Sequence, residues 1–341
     1  MKVLIVTDNL YPELGGSFKA ITDTYKILSK NPQFKSRIAI YNNGKFKKKL
    51  DLIFLIKNFD IIHYFGGWSF FHLKVLILSF IFKKKTIITP MGIFETWSLT
   101  QKKTKKFFGL HVYQKFILNK VNAIHATSET EKENLKKISN NKNIVMIPHG
   151  TKEITMQNKK IFEGNKKKAL FFSRLHKKKG ISELVDAWIK INNNDWELHI
   201  YGPDYDNYKK ILGEKIKNDK SILIFEPVFE NKDKIFQNYD LFILPSRSEN
   251  FGYVVLEAMQ FGLPILTTNA TPWIMLEKKD IGWIIDGDLK DIDKILKKVL
   301  SVSKEELEKK SINAMNFSKN YNWDRIQNKY FELYQKINQN D

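Results

Sequence analysis

Two glutamates lie eight positions apart in the stretch SRSENFGYVVLEAMQFGLP, at Glu249 and Glu257. The preceding DLFILPS is typical of a buried strand, residues 246–250 have turn chemistry, and YVVLEAMQF is typical of a helix that ends at Gly262. This pattern predicts Glu249 in the loop before the helix and Glu257 about two turns into it. Carboxylates suit the hydroxyls of a sugar or a ribose because they accept hydrogen bonds on both oxygens. The alternative is that Glu249 only caps the helix.

Two cations, Arg174 and Lys179, lie just beyond a predicted strand in the stretch ALFFSRLHKKKGI. A pair of cations at the carboxyl end of a strand suits a diphosphate, because the developing charge on its leaving oxygen needs neutralisation. Only four of the 57 basic residues are arginines, which favours a specific role for Arg174. Lys177 and Lys178 are predicted to lie in a solvated loop.

A pair of glycines, Gly15 and Gly16, lies in the first strand–helix connection, TDNLYPELGGSFKAI. Glycines there let backbone amides approach a ligand, and the N-terminus of the following helix favours an anion. Ser17 is expected to help cap that helix. The dinucleotide-binding pattern G-x-G-x-x-G is absent, so an ordinary turn is the alternative.

Three D-x-D patterns raise the question of a divalent metal ion. Each falls in a turn or at a predicted helix start, where aspartate has structural reasons to lie. The patterns are Asp204-Tyr-Asp206, Asp286-Gly-Asp288 and Asp291-Ile-Asp293. The seven histidines show no metal-ligand spacing, and we expect neither a metal nor a cofactor. His63 is expected to pack within a strand, or else to line a cleft beside Gly66-Gly67.

The predicted strands and helices that position these residues alternate regularly along the chain. Short apolar runs alternate with amphipathic stretches, and the alternation begins again after a loop-like break near 148–166. This pattern predicts an α/β fold with two Rossmann-like domains, residues 1–150 and 151–320, and a C-terminal helix at 321–341 that returns to the first domain. Open parallel sheets bind ligands at the carboxyl ends of their strands, so two facing sheets would place a site in the cleft between them.

The amino-acid composition limits the classes of protein to which this chain can belong. Hydrophobic residues make up 43% of the 341 residues, so large cores can be buried. The chain has no cysteine, which excludes disulfides, thiolate metal sites and a thiol nucleophile. Residues 1–10 enter a strand-like run with no cationic leader, and the apolar run at 75–82 is too short to span a bilayer. We therefore expect a cytoplasmic chain.

The net charge of +20 is unevenly distributed. Residues 1–150 hold 25 Lys and Arg against 9 Asp and Glu, whereas the rest of the chain is nearly balanced. The excess is either compositional, because the chain prefers Lys and Asn, or it attracts anionic lipid headgroups. Nucleic acid is not expected as a partner, since no nucleic-acid-binding motif accompanies the basic runs.

Together, Arg174, Lys179-Gly180, Glu249-Asn-Phe-Gly and Glu257-Ala resemble the donor site of retaining family-4 glycosyltransferases of the GT-B fold, also known as glycosyl transferases group 1. The resemblance covers nearly the whole chain and includes ITPMGIFETWSLTQKKTKK, IHATSETEKENL, IPHG, LHIYGPD and TPWIMLEKKDIGWII. These segments are similar to a branch that builds bacterial O-antigens of lipopolysaccharide, capsules and exopolysaccharides. The E-x7-E element with its surroundings is the specific part.

The resemblance implies a metal-independent enzyme that moves a hexose from a UDP- or GDP-sugar to a growing, lipid-linked surface glycan. It implies contacts to the phosphates, the transferred sugar and the ribose of the donor. Gly15 and Gly16 would contact the phosphate and the sugar, and Arg174 and Lys179 would hold the diphosphate. Glu249 would meet hydroxyls of the transferred sugar, the amides around Asn250, Phe251 and Gly252 would support that sugar and the phosphates, and Glu257 would bind the ribose. Among these, Arg174, Lys179 and Glu249 are expected to be catalytic.

The chain departs from the family pattern on the acceptor side. Met91 stands in TP-x-G where relatives usually carry His or Arg, and Glu95 and Trp97 follow it. A histidine there contacts the donor sugar in several relatives, and methionine can neither hydrogen-bond strongly nor transfer a proton. Either a neighbour substitutes for it, or the donor or acceptor differs, or the activity is reduced. His149 replaces a common Asn in IPHG, and Glu226 replaces a Gly before proline.

The resemblance also implies a role for the basic first domain, because that domain binds the acceptor in GT-B enzymes and glycan acceptors of this kind are often attached to membrane lipids. The basic runs at 83–85 and 102–106, with Trp97, Phe107 and Phe108, are predicted to meet anionic headgroups on the inner face of the cell membrane. Three alternatives remain open: a GT-B epimerase or phosphorylase, a sugar-nucleotide-binding protein without turnover, and a lipid- or nucleic-acid-binding scaffold.

Overall fold

The computed structural model describes residues 1–11, 15–42, 45–46, 52–100, 109–154, 166–205, 207–228 and 232–339. The chain divides into two compact units. The first unit is Met1–Gly150 together with Trp323–Asp341, and the second unit is Thr151–Asn322.

The first unit contains a sheet whose strands are all parallel except for one short edge strand. Its strands are β1 (Lys2–Thr7), β2 (Lys35–Asn42), β3 (Lys45–Phe46), β4 (Ile61–Phe65), β5 (Lys85–Thr89), β6 (Ala123–Ala126) and β7 (Ile144–Met146). Their order is β3-β2-β1-β4-β5-β6-β7, and β3 runs antiparallel to β2.

The second unit contains a fully parallel sheet. Its strands are β8 (Lys167–Phe172), β9 (Trp196–Tyr201), β10 (Ile222–Phe225), β11 (Leu241–Leu244), β12 (Ile265–Thr268) and β13 (Gly282–Ile285). Their order is β10-β9-β8-β11-β12-β13. The four residues of β11 and of β12 are all buried, as expected for strands covered on both faces.

Helices connect the strands in both units. In chain order they are α1 (Gly16–Lys30), α2 (Leu52–Lys57), α3 (Phe70–Ile81), α4 (Thr96–Thr100), α5 (Lys115–Lys120), α6 (Glu129–Ile138), α7 (Ile181–Ile191), α8 (Tyr208–Lys215), α9 (Asp233–Phe236), α10 (Tyr253–Gln260), α11 (Ile292–Leu300), α12 (Lys304–Ser318) and α13 (Trp323–Gln339). Leu110–Gln114 forms a π-helical turn, and Lys177–Lys179 and Lys319–Tyr321 form 3₁₀ turns. Within the described residues, no helix combines the length and the apolar character needed to cross a bilayer.

The C-terminal helix α13 packs on the sheet of the first unit. Its apolar residues recur every three or four positions, which places them on one face. The buried ones are Ile326, Tyr330, Leu333, Tyr334 and Ile337, and they share a core cluster with Val3 and Ile5 of β1. The predicted return of this helix to the first unit is therefore confirmed, as is the prediction of an α/β fold with two Rossmann-like sheets.

The strand order of each sheet reverses direction at one place. In the first unit β1 lies between β2 and β4, and in the second unit β8 lies between β9 and β11. The connections that leave β1 and β4, or β8 and β11, therefore diverge and open a crevice at the carboxyl edge of the sheet, which is where open α/β sheets bind ligands. We refer to these two places as the first-unit crevice and the second-unit crevice.

Candidate functional site

The second-unit crevice brings together two of the predicted segments. Arg174 to Gly180 follow β8, and residues 245–252 follow β11. The backbone N–H of Arg247 donates to the carbonyl of Lys178 at 2.8 Å, which joins the two loops directly. The hydroxyl of Thr268, at the end of β12, donates to the carbonyl of Ser246 and anchors the second loop to the sheet.

The loop after β8 requires a glycine at its end. Lys177–Lys179 form a 3₁₀ turn, and the His176 Nδ1 accepts a hydrogen bond from the Lys178 N–H at 3.0 Å. Gly180 then adopts φ +65°, and a Cβ at that position would lie 2.2 Å from the carbonyl oxygen of Pro245. The close approach of the two loops therefore depends on the missing side chain.

Lys179 and Glu249 form an ion pair inside this crevice. The Lys179 Nζ lies 2.5 Å from the Glu249 Oε1, and the two side chains are only 9% and 12% exposed. Burial alone would raise the pKa of Glu249, but the charges of Lys179 and Lys178 and the hydrogen bond from Lys179 outweigh it, so the pKa lies below its ordinary value. Glu249 is thus held ionised, with its second oxygen able to accept hydrogen bonds from hydroxyls.

Glu249 lies in the loop before α10, as predicted, and it does not cap the helix. The N-cap residue is Gly252 at φ +73°, and no side chain accepts from the first turn. A Cβ on Gly252 would lie 2.9 Å from the indole Nε1 of Trp273. The first turn of α10 carries no acidic residue, so the positive end of the helix dipole keeps its affinity for an anion.

Three buried polar atoms beside this loop have no hydrogen-bond partner among the described residues. They are the Ser248 Oγ, the Asn250 Oδ1 and the Trp273 Nε1. Buried polar atoms are normally satisfied, so a cluster of three at the crevice indicates a polar ligand. Asn250 was predicted as a site residue, whereas Ser248 and Trp273 were not. No spacing rule in the sequence separates them from ordinary loop residues.

Arg174 and Phe251 occupy different surroundings in the same crevice. Arg174 is exposed, and its guanidinium lies 5.6 Å from the ring centre of Tyr205. Within the described residues Arg174 forms no ion pair, so its charge is available to an anion. Phe251 is buried and packs against Tyr253 and Trp273, which indicates that its side chain supports the loop and that only its backbone can face a ligand.

Glu257 lies nearer to the start of the helix than predicted. It is the fifth residue of α10, little more than one turn in, because the helix begins at Tyr253. Its carboxylate lies 3.7 Å from the Lys232 Nζ and is 16% exposed. A cation beside this carboxylate was not foreseen.

In the first unit, Gly15 and Gly16 lie at the start of α1 as predicted, but the predicted cap is wrong. Gly15 itself is the N-cap residue at φ +59°, and Ser17 lies inside the first turn without capping it. No acidic residue lies in that turn, and a Cβ on Gly15 would meet no described atom within 4 Å. As far as the described part of the chain shows, this helix end is open to a ligand.

The acceptor-side residues Met91, Glu95 and Trp97 lie after β5. Met91 has φ +56°, and its partly buried side chain packs against the core cluster of the first unit. Glu95 is buried and accepts a hydrogen bond from the Asn134 Nδ2 at 3.0 Å. Trp97 is partly buried in α4. The basic run at 102–106, with Phe107 and Phe108, lies outside the described residues.

His63 does not line a cleft, because it is fully buried in a hydrogen-bonded chain. The carbonyl of Ile147 can only accept, so the His125 Nε2, 2.8 Å away, carries a hydrogen. The Thr89 hydroxyl then donates to the His125 Nδ1 at 2.8 Å and accepts from the His63 Nε2 at 2.7 Å. The Tyr334 hydroxyl completes the chain by donating to the His63 Nδ1 at 2.5 Å. Both histidines are therefore neutral, with fixed tautomers.

The two other departures from the family pattern, His149 and Glu226, and the aspartates of the D-x-D patterns make contacts within the protein. His149 is buried, with its Nδ1 3.2 Å from the Tyr330 hydroxyl, and Glu226 pairs with Lys209. Four of the five described aspartates accept from backbone or side-chain groups: Asp204 from Lys209, Asp286 from Asn269, Asp288 from Lys290 and Asp293 from Lys190. The fifth, Asp291, is the N-cap residue of α11, and its side chain does not cap the helix. Asp206 lies outside the described residues, and among the residues described no cluster suited to a metal ion occurs.

Comparison with known proteins places these findings in a family. Residues 152–320 match the family model described as "Glycosyl transferases group 1", which covers almost all of the second unit. A GDP-mannose:cellobiosyl-diphosphopolyprenol alpha-mannosyltransferase of Xanthomonas oryzae is 26% identical over 174 residues, 48% of this chain and 46% of the relative. The protein of the same name from Xanthomonas campestris is 22% identical over 84% of both chains. Apart from the latter, the chain spans about half the length of the curated relatives it matches.

Solved structures resemble the whole chain. The crystal structure of Anabaena Alr3699/HepE in complex with UDP and glucose has a TM-score of 0.79 at 16% identity, over 98% of this chain and all of that one. At this identity the similarity concerns the fold. Together with the two Rossmann-like sheets, it identifies the fold as GT-B, as the resemblance implied.

Proposed function

The second unit of this chain belongs to the glycosyl transferases group 1 family, and from that premise we propose that the protein is a retaining hexosyltransferase. Its donor is a nucleotide-diphospho-sugar, and its acceptor is a lipid-linked precursor of a bacterial surface glycan. The polyprenol-linked acceptor and the GDP-sugar named for the Xanthomonas relatives support this class of substrate.

The observation that carries the proposal is the buried Lys179–Glu249 pair beside three buried polar atoms that have no partner among the described residues. Glu249 fixes the Lys179 ammonium by using one of its three donors, which leaves the others for phosphate oxygens. The second carboxylate oxygen of Glu249 can accept from hydroxyls of the transferred sugar. The Lys179–Glu249 pair would thus contact both the diphosphate and the transferred sugar, which are the two groups joined by the bond that breaks.

Charge stabilisation and positioning are the main contributions of these residues to the reaction. The bond between the anomeric carbon and the diphosphate breaks, and the nucleoside diphosphate leaves with the electron pair. Arg174, Lys179 and the N-terminal amides of α10 stabilise that charge as it develops. The acceptor oxygen forms the new bond on the same face, and its proton passes to the departing phosphate. No metal is expected in this scheme.

The nucleotide base stays open between uracil and guanine. The HepE crystal contains UDP, whereas the Xanthomonas relatives are named for GDP-mannose. Glu257 is proposed to accept from the ribose hydroxyls, and the neighbouring Lys232 adds a cation near the same place. Neither contact distinguishes the two bases, because both nucleotides carry the same ribose.

The donor is testable by thermal unfolding with a panel of UDP-, GDP- and ADP-sugars. A true donor stabilises the folded protein by mass action, so one nucleotide class should raise the melting temperature. Glu249→Gln should reduce the shift given by the sugar-carrying donor more than the shift given by the free nucleoside diphosphate. No shift with any member of the panel would contradict the proposal, and binding without transfer or hydrolysis would favour a non-catalytic binding protein.

The lipid-linked acceptor is supported by one side of α3 in the first unit. At intervals of three and four residues this side exposes Phe70, Lys74, Ile77 and Ile81, with Phe80 alongside. Phe70 and Phe80 are 72% and 74% exposed, although large aromatic side chains are normally buried. We name these five residues the α3 face. Exposed aromatics beside lysines are typical of helices that lie on a membrane surface.

The charge around the α3 face favours anionic lipid over a second copy of the chain. Lys57 of α2 and Lys83 are exposed, and Lys57 lies over the ring of Phe82, which follows α3. Between residues 52 and 85 the sequence has only one acid, Asp60. Two copies would bring like charges together, whereas anionic headgroups complement them.

Sedimentation with vesicles tests this association. Vesicles with anionic lipid should carry down the protein at moderate salt, and vesicles of neutral lipid should not. Phe80→Ser with Ile81→Ser should weaken binding about tenfold or more, because two apolar side chains leave the bilayer interface. Ile312→Ser is the matched control, since Ile312 is 55% exposed in the second unit. Equal binding by both variants would contradict the role of the α3 face.

A further inference from the structure

The start of α6 contains a buried carboxylate that the proposed reaction does not use. Glu131 lies in the first turn of that helix and is only 2% exposed. Burial raises its pKa, and its hydrogen bonds offset this only in part. No cation pairs with it among the described residues. Since a buried carboxylate costs stability, the groups that its two oxygens bind indicate why it is there.

One carboxylate oxygen of Glu131 belongs to the cap of α6. The Oε2 accepts from the N–H and from the hydroxyl of Thr127, at 2.8 and 2.9 Å. The hydroxyl of Ser128, the N-cap residue, accepts from the Glu131 N–H at 3.1 Å. The two residues form a variant of the capping box, in which the glutamate binds the N–H one residue before the N-cap. The helix start therefore involves only one of the two oxygens.

The other oxygen binds a loop that is distant in the sequence. The Oε1 accepts from the backbone N–H of Gly92 at 2.6 Å, across 39 positions. Met91 and Gly92 follow β5 and have φ values of +56° and +75°. Successive positive φ values that include a methionine persist only where the surrounding structure holds them. Because an N–H group donates to each oxygen of Glu131, these contacts favour its ionised form.

Asn134 adds a second contact between α6 and the same loop. It lies three residues after Glu131, on the same face of the helix, and its Nδ2 donates to the Glu95 Oε2 at 3.0 Å. Strands β5 and β6 are parallel neighbours, so the loop after β5 and the start of α6 both lie at the carboxyl edge of the sheet. We name residues 91–95 the β5 loop. Helix α6 holds this loop at two places.

The contact with Gly92 also fixes the direction of the preceding carbonyl. All described peptide bonds are trans, and in a trans peptide the C=O and the N–H point to opposite sides. With the Gly92 N–H directed at Glu131, the Met91 carbonyl is directed away from that carboxylate. This carbonyl accepts no hydrogen bond from any described residue. It is therefore available to a donor.

We propose that Glu131 is a positioning residue for the transfer reaction: it orients the Met91–Gly92 peptide, so that the Met91 carbonyl accepts a hydrogen bond from a hydroxyl of a substrate sugar. The inference rests on the proposed function for the reaction, and on the first unit alone for the contacts. It gives the β5 loop a polar group at a position where the methionine side chain offers none. A helix cap alone would require neither the Glu131 Oε1 nor Asn134.

Steady-state turnover of the nucleotide-sugar that stabilises the protein tests this role in Glu131→Asp. The shorter aspartate keeps a carboxylate for Thr127 but does not reach Gly92. We expect kcat to fall about tenfold or more, because a misplaced peptide positions the substrate poorly. The KM for the donor should stay within about twofold, because the proposed donor contacts of the second unit are intact. In hydrogen exchange, the peptide that contains Gly92 should lose protection.

Thr127→Val is the matched control, because it removes the hydroxyl bond to the Glu131 Oε2 without touching Gly92. It should lower the melting temperature but leave kcat and the exchange at Gly92 unchanged. Asn134→Ala releases the β5 loop at its second contact and leaves the buried carboxylate in place, so it also serves if Glu131→Asp does not fold. It should lower kcat about threefold or more.

The inference is overturned if folded Glu131→Asp keeps the wild-type kcat, or if Thr127→Val lowers kcat as much as Glu131→Asp does. Should Glu131→Asp not fold, an unchanged kcat in Asn134→Ala overturns it. Wild-type turnover with unaltered kcat in these variants contradicts only the role of Glu131. Absence of wild-type turnover with every donor contradicts the proposed function, and this inference with it.

Discussion

The two crevices have the same topology, but their carboxylates lie in opposite electrostatic surroundings. In the second unit Glu249 is paired with Lys179, and its pKa lies below the ordinary value although the side chain is buried. In the first unit Asp8, directly after β1, has two hydroxyl donors and no cation among the described residues, and its pKa lies above the ordinary value although the side chain is less buried. The difference therefore arises from the partner and not from the depth of burial.

This difference matches different ligands. A paired carboxylate beside a free Arg174 and a helix N-terminus accommodates a molecule that carries both hydroxyls and a diphosphate. An unpaired carboxylate with hydroxyl neighbours suits a neutral, hydroxyl-rich molecule, because a charged one would be repelled or would need its own counter-ion. The same arrangement of strands and crevice can thus offer a ligand very different surroundings with changes of only a few side chains.

The largest expected effect is at Lys179. Lys179→Ala should lower the free energy of unfolding by about 3 kcal/mol, since it leaves Glu249 buried without its cation. It should also lower the transfer rate about a hundredfold or more. Urea unfolding and a donor-turnover assay measure the two effects.

Two other variants separate stability from catalysis at this site. Lys177→Ala removes an exposed lysine of the same turn and should change stability by less than about 0.5 kcal/mol. The double variant Lys179→Met with Glu249→Gln should recover much of the stability but none of the activity, because the buried charges are removed together. If Lys179→Ala behaves like Lys177→Ala, the ion pair has no role in either property.

The loop glycines of the two units should respond unequally to one added methyl group. Gly180→Ala combines a left-handed backbone with a Cβ 2.2 Å from the Pro245 carbonyl oxygen, so it should cost more than about 2 kcal/mol and weaken donor binding. Gly15→Ala would meet no described atom within 4 Å, but the backbone there, at φ +59° and ψ −117°, lies outside the left-handed helical region, so backbone strain alone should cost about 1–3 kcal/mol. Thermal unfolding measures both, and a cost for Gly180→Ala no larger than the about 1–2 kcal/mol of its left-handed backbone would show that the contact with Pro245 relaxes freely.

The buried histidines should make the first unit sensitive to acid. Burial lowers the pKa of His125 to about 4, although its bond to the Ile147 carbonyl raises it, and burial also lowers the pKa values of His63 and His149 well below their ordinary value. A histidine with a lowered folded-state pKa binds its proton more readily when unfolded. Its contribution to stability is therefore complete above about pH 6.5 and is lost as the pH falls toward the folded-state value.

At pH 5 the loss due to His125 alone should be about 2 kcal/mol relative to pH 7. Hydrogen exchange resolved by peptide can locate the loss. Amides of β4, β5, β6 and α13 should lose protection as the pH falls, after correction for the intrinsic exchange rate, whereas those of β8 and β11 should lose less. His125→Asn serves as the comparison, since it should flatten the pH dependence while lowering stability at pH 7. Uniform loss across both units would contradict the assignment to this chain of hydrogen bonds.

The sequence predicted those features that depend on local pattern. Apolar runs placed the strands, and turn residues placed Glu249 in a loop rather than on the helix. The pairing of Glu249 with Lys179 could not be read from the sequence, because the two residues are 70 positions apart and meet only through the adjacency of β8 and β11. Asp8 was missed for a similar reason, since a single acid after a strand looks like any turn residue until its neighbours are known.

The smallest expected effect concerns Met91, where the chain departs from the family pattern. Met91 has φ +56°, a conformation that histidine adopts several times more readily than most residues, so Met91→His should change the free energy of unfolding by less than about 1 kcal/mol. Met91→Val is the matched control and should cost more, because a β-branched side chain is strained at positive φ. A histidine N–H can donate a hydrogen bond that a thioether cannot. We therefore expect Met91→His to raise donor turnover severalfold, and unchanged turnover in a stable variant would mean that the role implied by the resemblance does not apply at this position.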